Sequence, residues 1–373
     1  MKISVILPHL KLYGGVKRFL EIGNEMVIRG YDYTIYHSDG SPPDWFKYNG
    51  KLSPIENVHS VKHEVLMCGD APSLDIFDRC NAQKKFVFII FPYTRRYGIG
   101  TYDIKSDYIL IGVSNGWEKR FPQKFNNKGY TISGGVNLEQ FYPVEVEKDD
   151  KFRVLIYAKF DRGWKNTGNI VKALELVKDP PVLMLYDVQK WKYDTPLEIE
   201  HYVNPPQDSL REMYSKADIF ISAEGLAGWC NTAAEAMACG TPVICTSAGT
   251  TNFAINNETA LVIPDVNPET IARFYSILKN NGELRVILSR SGLVKIKQFS
   301  WQKFCDGLEE ALKREVSLKS ESHKELYSYL KNKELFNHSV KKVGEHAYEE
   351  KFSHLRDYQL DSMVSDIIKI MEV

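Results

Sequence analysis

Apolar residues near the start of the chain fall in short runs whose spacing changes from run to run. Ile3-Ser-Val-Ile-Leu7 is a buried-strand pattern, and a loop from His9 to Gly15 follows. From Val16 to Arg29 the period becomes helical, with Phe19, Ile22, Met26 and Val27 on one face and Gly30 as the stop. Tyr33 to His37 predicts the next strand. Strand, glycine loop, helix, glycine and strand make the opening of a doubly wound α/β domain. Further strands are predicted at Val58 to Val61, Lys85 to Phe91, Tyr108 to Val113 and Tyr130 to Ser133, with helices near Ser73 to Asn81 and Gly116 to Phe121. Pro143 to Asp150 is acidic, has no sustained period and reads as a linker.

The pattern then restarts. Strands are predicted at Arg153 to Tyr157, Pro181 to Tyr186, Ala217 to Ser222 and Pro242 to Cys245, and helices at Thr167 to Val177, Ser209 to Lys216 and Thr232 to Cys239, the last closed by Gly240. Two such halves predict two Rossmann-like domains facing a cleft, residues 1–145 and 151–300, followed by a helical segment over 301–373 that partly packs back on the first domain. From Asn267 onward the strand signals fade. Between Ser317 and Val373 there is one glycine, Gly344, and no proline. Two or three helices are expected there, either solvated packing helices or a surface for a partner or a membrane. The apolar end Ile367, Ile368, Ile370 and Met371 needs a covering surface.

Composition narrows the classes. The 373 residues exceed what one core usually serves. Lys plus Arg and Asp plus Glu are both 48, so nothing favours a nucleic-acid partner. No apolar run approaches the roughly 18 residues of a membrane span, and Lys2 precedes only a short apolar run before Pro8, which does not match a secretory signal. Six cysteines without a Cys-x-x-Cys pair fit reduced thiols in a cytoplasm.

Three loops carry candidate chemistry. Gly14-Gly15 stands where a helix start can hold a phosphate or a polar acceptor group, or is simply a tight turn; it is not the G-x-G-x-x-G of dinucleotide binding. His9 is a possible acceptor contact or a turn histidine. Lys159, Arg162 and Lys165 follow the strand ending at Tyr157 and suit a diphosphate, or form a solvated cluster. The third loop runs from Ser222 to Thr250. Gly225, Gly228 and the following helix start make an anion cradle, and Glu235 one turn into that helix suits a vicinal diol. Thr232-x-x-Glu235 is also a capping-box pattern, in which the glutamate only satisfies a backbone N–H.

The segment Glu235-Ala-Met-Ala-Cys-Gly-Thr-Pro-Val243 resembles the signature of retaining family 4 glycosyltransferases (glycosyl transferases group 1) of the GT-B fold. Similar landmarks are Gly14-Gly15-Val16, Val113-Ser-Asn115, Gly134-Gly-Val-Asn137 with Phe141, Tyr214 with Ala217 and Asp218, and Asn257 to Val262. The resemblance spans about residues 1–310. It implies a nucleotide-sugar donor, held by Glu235 at the ribose, by Lys159, Lys165 and Arg162 at the diphosphate, and by Gly228, Trp229, Cys230, Asn231, Thr232 and Glu224 around the sugar and phosphates. The base is expected near Asn204 to Ser209. The acceptor, a glycan or lipid-linked hydroxyl, is expected between Gly14, Gly15 and His9 and the Phe91 to Arg96 region. No metal and no cofactor is expected, and a peripheral membrane contact through Lys17, Arg18, Arg95 and Arg96 is an open possibility. Two departures stand out: Ala227 replaces the first motif glutamate, and Asn137 replaces the usual aspartate. The alternatives are a sugar-nucleotide epimerase of the same fold and a non-catalytic scaffold, for which Ala227 is the best support.

Overall fold

A computed structural model describes residues 1–90, 104–117, 127–160, 162–192 and 194–317. Two parallel sheets form, each with helices on its faces. The first contains β1 (Lys2–Ile6), β2 (Asp32–His37), β3 (Lys51–Pro54), β4 (His63–Cys68), β5 (Ala82–Ile89), β6 (Ile109–Gly112) and β7 (Gly129–Thr131), in the order β3-β2-β1-β4-β5-β6-β7. Its described helices are α1 (Gly14–Ile28) and α2 (Leu74–Arg79). The second contains β8 (Arg153–Tyr157), β9 (Val182–Asp187), β10 (Ile199–Val203), β11 (Ile219–Ser222), β12 (Val243–Cys245) and β13 (Leu261–Val262), in the order β10-β9-β8-β11-β12-β13. Around it lie α3 (Thr167–Glu175), α4 (Leu210–Lys216), α5 (Asn231–Ala238), α6 (Pro268–Asn280) and α7 (Gly282–Ile296). This is the GT-B arrangement of two doubly wound α/β sheets.

Parallel strands covered on both faces read as nearly unbroken apolar runs, which is why most were legible. Val154, Ile156, Leu183, Leu185, Ile219 and Ile221 pack against Ile170 and Leu174 of α3 and Ile271 and Leu278 of α6. In the first sheet Leu66, Val87 and Leu110 pack with Phe77 and Trp117. Gly30, at φ +83°, closes α1, and Gly240, at φ +76°, closes α5. Both conformations favour glycine.

The structure corrects the expected strand at Val58 to Val61. Ile55–Ser60 is a 3₁₀ turn, and the strand is β4, three residues further on. Its polar start hid it: His63 is fully buried, with Nδ1 2.8 Å from Ser4 Oγ and Nε2 2.8 Å from the Val58 carbonyl. The helix expected at Gly116 to Phe121 runs into residues 118–126, outside the described residues. So do the helices expected beyond Ser317 and the apolar end from Ile367 to Met371.

Residues 301–315 are helical and return to the first sheet. Val136 N–H donates to the Phe299 carbonyl at 2.9 Å just before the helix starts. Phe304 lies with its ring centroid 6.3 Å from that of Phe88 in β5, and Glu309 accepts from Arg29 at 2.9 Å and Tyr31 at 2.7 Å. All six cysteines are buried and unpaired. Among the described residues no helix is long and apolar enough to cross a membrane. Phe304 is buried and bonded to the core by packing alone, so Phe304→Ala is expected to cost about 3–5 kcal/mol. Urea denaturation measures this; a loss below about 1 kcal/mol would detach the helix from the first sheet's core.

Candidate functional site

In each sheet the strand order reverses once, between β1 and β4 and between β8 and β11. The loops leaving the carboxyl ends of such strands diverge and leave a crevice. His9 and Gly14 follow β1, Asp70 follows β4, Lys159 follows β8 and Glu224 follows β11, and all five line one cavity of about 560 Å³. It adjoins a wider opening of about 1250 Å³ that reaches Asn204, Pro206, Gln207 and Arg211. Fold topology, rather than nearness in sequence, therefore brings the three candidate loops together.

Glu235 is buried in α5. Its Oε1 accepts from Lys17 Nζ of α1 at 3.0 Å, and its Oε2 accepts from the Tyr214 hydroxyl at 3.1 Å. Tyr186 OH lies 2.6 Å from Tyr214 OH, and with Tyr214 donating to the carboxylate, Tyr186 donates to Tyr214. Burial pushes both phenols up, so they stay protonated donors. The capping-box alternative is not what forms. The helix begins at Asn231, Cys230 is its cap without a side-chain cap bond, and neither Glu235 oxygen turns back to a cap N–H.

The basic loop is not a solvated cluster. Lys159 is buried, and its Nζ sits 3.2 Å from Asp187 Oδ1; Trp191 holds the other aspartate oxygen at 2.6 Å. Lys165 ends a 3₁₀ turn, pairs with Glu224 and lies 5.4 Å from the Tyr157 ring centroid. Arg162 stacks over Trp164 at 5.5 Å. Asn166, in the left-handed region at φ 52°, ties this loop to the next through its amide to the Ala223 carbonyl at 2.8 Å. Gly225 N–H adds a 2.6 Å bond to the Trp164 carbonyl.

Along the third loop the candidate residues divide. Asn231 and Thr232 line the cavity from the first turn of α5, where N–H groups have no intrahelical acceptor. Cys230 N–H, by contrast, is already bonded to the Gly249 carbonyl at 2.9 Å, so it is not part of an open cradle. The Cys230 thiol is buried beside Ser222 and Thr232 and is pushed up to about 12 by burial, so it is inert at neutral pH. Trp229 packs on Phe253 and Phe299, with centroids 5.0 and 5.6 Å away. Gly228 lies so close to the first sheet that a Cβ there would be 2.1 Å from the Ile90 carbonyl oxygen.

On the opposite wall, Gly14 and Gly15 are the first residues of α1 and neither has positive φ, which removes the tight-turn alternative. Gly14 instead permits close approach: a Cβ there would meet Asn231 Nδ2 at 2.9 Å. His9 Nδ1 accepts from Lys11 N–H at 3.3 Å, its ring leans on Tyr13, and burial lowers its pKa. Lys17 and Arg18 are only 8% and 2% exposed, so they cannot dock on a membrane surface. Arg95, Arg96 and the rest of the Phe91 to Arg96 region lie outside the described residues. Sequence reasoning missed Lys17, Tyr214 and Asp187 as partners of the site. Tyr214 stood out only as a landmark and Lys17 only as a membrane contact, and nothing local marked Asp187.

The pattern of the glycosyl transferases group 1 family matches residues 139–295. A D-inositol 3-phosphate glycosyltransferase of Saccharomonospora viridis is 31% identical over 107 residues, which is 28% of this chain and 25% of the relative. The matched segment thus spans about a quarter of that relative's length. Among solved structures, sucrose-phosphate synthase of Thermosynechococcus elongatus is similar with a TM-score of 0.68 at 16% identity, over 84% of this chain and 98% of that one. Anabaena HepE, solved in complex with UDP-glucose, gives a TM-score of 0.66 at 11% identity, over 84% and 100%. Residues 139–295, which include Glu235, thus carry the pattern of the glycosyl transferases group 1 family, and the paired parallel sheets have the GT-B fold.

Proposed function

We propose that the chain moves a sugar from a nucleotide-sugar donor to a hydroxyl of a glycan or lipid-linked acceptor, with retention of anomeric configuration. One observation carries this reading: Glu235, Lys159 and Lys165 converge on a single cavity at the switch points of both sheets. A carboxylate suits the two ribose hydroxyls. The ammonium groups suit a diphosphate that gains charge as its bond to the sugar breaks.

In this reading Glu235 accepts from the ribose, with Tyr214 holding the carboxylate in place. Lys159 and Lys165, with Arg162 beside them, take the charge of the departing diphosphate. Their pairing with Asp187 and Glu224 keeps them aimed before a donor arrives. Asn231 and Thr232 offer N–H groups to the phosphates or the sugar, and Glu224 offers a carboxylate to the sugar hydroxyls. Trp229 and Cys230 shape the loop from behind. Gly14, Gly15 and His9 face the acceptor. Anabaena HepE was solved with UDP-glucose, UDP and glucose, which makes uridine the first base to try.

Lys165→Ala is expected to lower turnover about 10²–10³-fold, the usual cost of losing one preorganised charge donor. Near wild-type turnover in a folded variant would remove Lys165 from the reaction. Calorimetric titration with UDP, GDP, ADP and CMP tests the donor site, and Glu235→Gln is expected to weaken the nucleotide that binds. Because Glu235 also holds Lys17, that variant melts lower as well. Lys17→Met breaks the same ion pair but keeps the carboxylate, so it is expected to melt lower with nucleotide affinity retained. Equal loss of affinity in both variants would make Glu235 a packing residue. Binding of no nucleotide would return the chain to the scaffold class.

A further inference from the structure

We propose that Arg18 is the anchor of an acceptor subsite for an oxyanion, a phosphate monoester or a carboxylate carried by the acceptor. Arg18 is 2% exposed and is among the largest fully buried side chains of the protein. It lines the cavity from α1, yet neither its Nε nor its Nη1 has a hydrogen-bond partner among the described residues. Leaving a buried charge without a partner is strongly destabilising, so such a group calls for an explanation. Burial lowers its pKa only to about 10, and the guanidinium keeps its charge at neutral pH.

The contrast with its neighbours narrows the meaning. Lys17, Lys159 and Lys165 line the same cavity, and each faces a carboxylate of the chain itself: Glu235, Asp187 and Glu224. Arg18 has none. Asp70 also lines the cavity, but it forms no ion pair with Arg18, and its two oxygens are held by Ser73 N–H at 2.9 Å and Ser73 Oγ at 3.0 Å. The missing partner is therefore an external anion, and a guanidinium fork is built for the oxygens of a phosphate or carboxylate. The transferase reading supplies the rest of the assignment. The donor's diphosphate meets the lysines of the second sheet, whereas Arg18 stands on the first, beside Gly14 and Gly15, on the acceptor wall.

The test is anion binding to the full chain with UDP saturating the donor side, using inorganic phosphate and acetate as probes to separate the two oxyanion sources. Wild-type protein is expected to bind at least one of them, and Arg18→Met to lose about 10- to 100-fold of that affinity. Arg18→Met is also expected to hold or raise the melting temperature, because an uncompensated buried charge is removed; a merely structural arginine would give the opposite shift. Arg18→Gln, read with the same probes, keeps the test decisive if the methionine variant does not fold. Three results would overturn the proposal: no binding of either anion by the wild type, unchanged binding by both variants, or a fall in UDP affinity as large as the fall for the probe. The last would assign Arg18 to the donor's diphosphate. If no nucleotide binds at all, the transferase reading fails by itself, while Arg18-dependent phosphate binding without UDP still supports the anion site.

Discussion

The cleft is organised around one buried ion pair, Lys17 with Glu235, which joins the first helix of the N-terminal sheet to the signature helix of the C-terminal sheet. Taking both charges out of water is costly, and their attraction compensates only with good geometry and further hydrogen bonds. Both conditions are met. The carboxylate has a second donor in Tyr214, itself backed by Tyr186, and the ammonium lies 4.8 Å from the Phe141 ring centroid. The pair fixes how α1 faces α5. The glycines on either side then follow from the spacing: Gly14 must pass Asn231, and Gly228 must pass the Ile90 carbonyl.

That geometry changes what the charges in the cleft mean. A cation near the end of a parallel strand is unremarkable in sequence, since a solvated lysine would look the same. Here Lys159 and Lys165 are held by carboxylates from neighbouring strand ends, Asp187 as the last residue of β9 and Glu224 just after β11. A preorganised cation needs no large reorganisation when charge develops beside it, which is the source of its catalytic value. The unpaired Arg18 stands apart from this scheme. The same low-dielectric surroundings that strengthen a paired group penalise it, so its retention is best explained by a ligand.

Much of this was legible before any coordinates, and the limits have physical causes. The two-sheet fold could be read because strands such as Arg153 to Tyr157 are buried on both faces and carry unbroken apolar runs. Three of the four edges could not: β3 (Lys-Leu-Ser-Pro) and β10 (Ile-Glu-His-Tyr-Val) are partly solvated and keep polar residues, and β13 is only two residues long. β4 was displaced because His63 looks like a surface residue until Ser4 and the Val58 carbonyl are found beside it. At the site, the loops were legible because glycines and charges cluster there in sequence. Their long-range partners were not. Lys17 lies 218 positions from Glu235, and only the folded topology supplies that contact.

Ala227 shows why a motif should be carried over by geometry as well as by position. A small residue where the family pattern has a glutamate suggests an eroded site. The surrounding packing argues otherwise. Ala227 is buried, and Gly249 approaches so closely that a Cβ on that glycine would be 2.9 Å from the Ala227 Cβ. Gly249 sits at φ +70° and accepts the Cys230 N–H through its carbonyl, so the loop is drawn tight against position 227. A longer side chain at 227 would have to displace that loop. Three residues earlier, Glu224 is buried at the same cavity and paired with Lys165. The carboxylate is thus present in the cleft at a different position, and the small residues at 227 and 249 are what allow the loop to close behind it. Under the proposed function a donor loop needs such an acid and cation, so Ala227 alone does not count for the scaffold alternative.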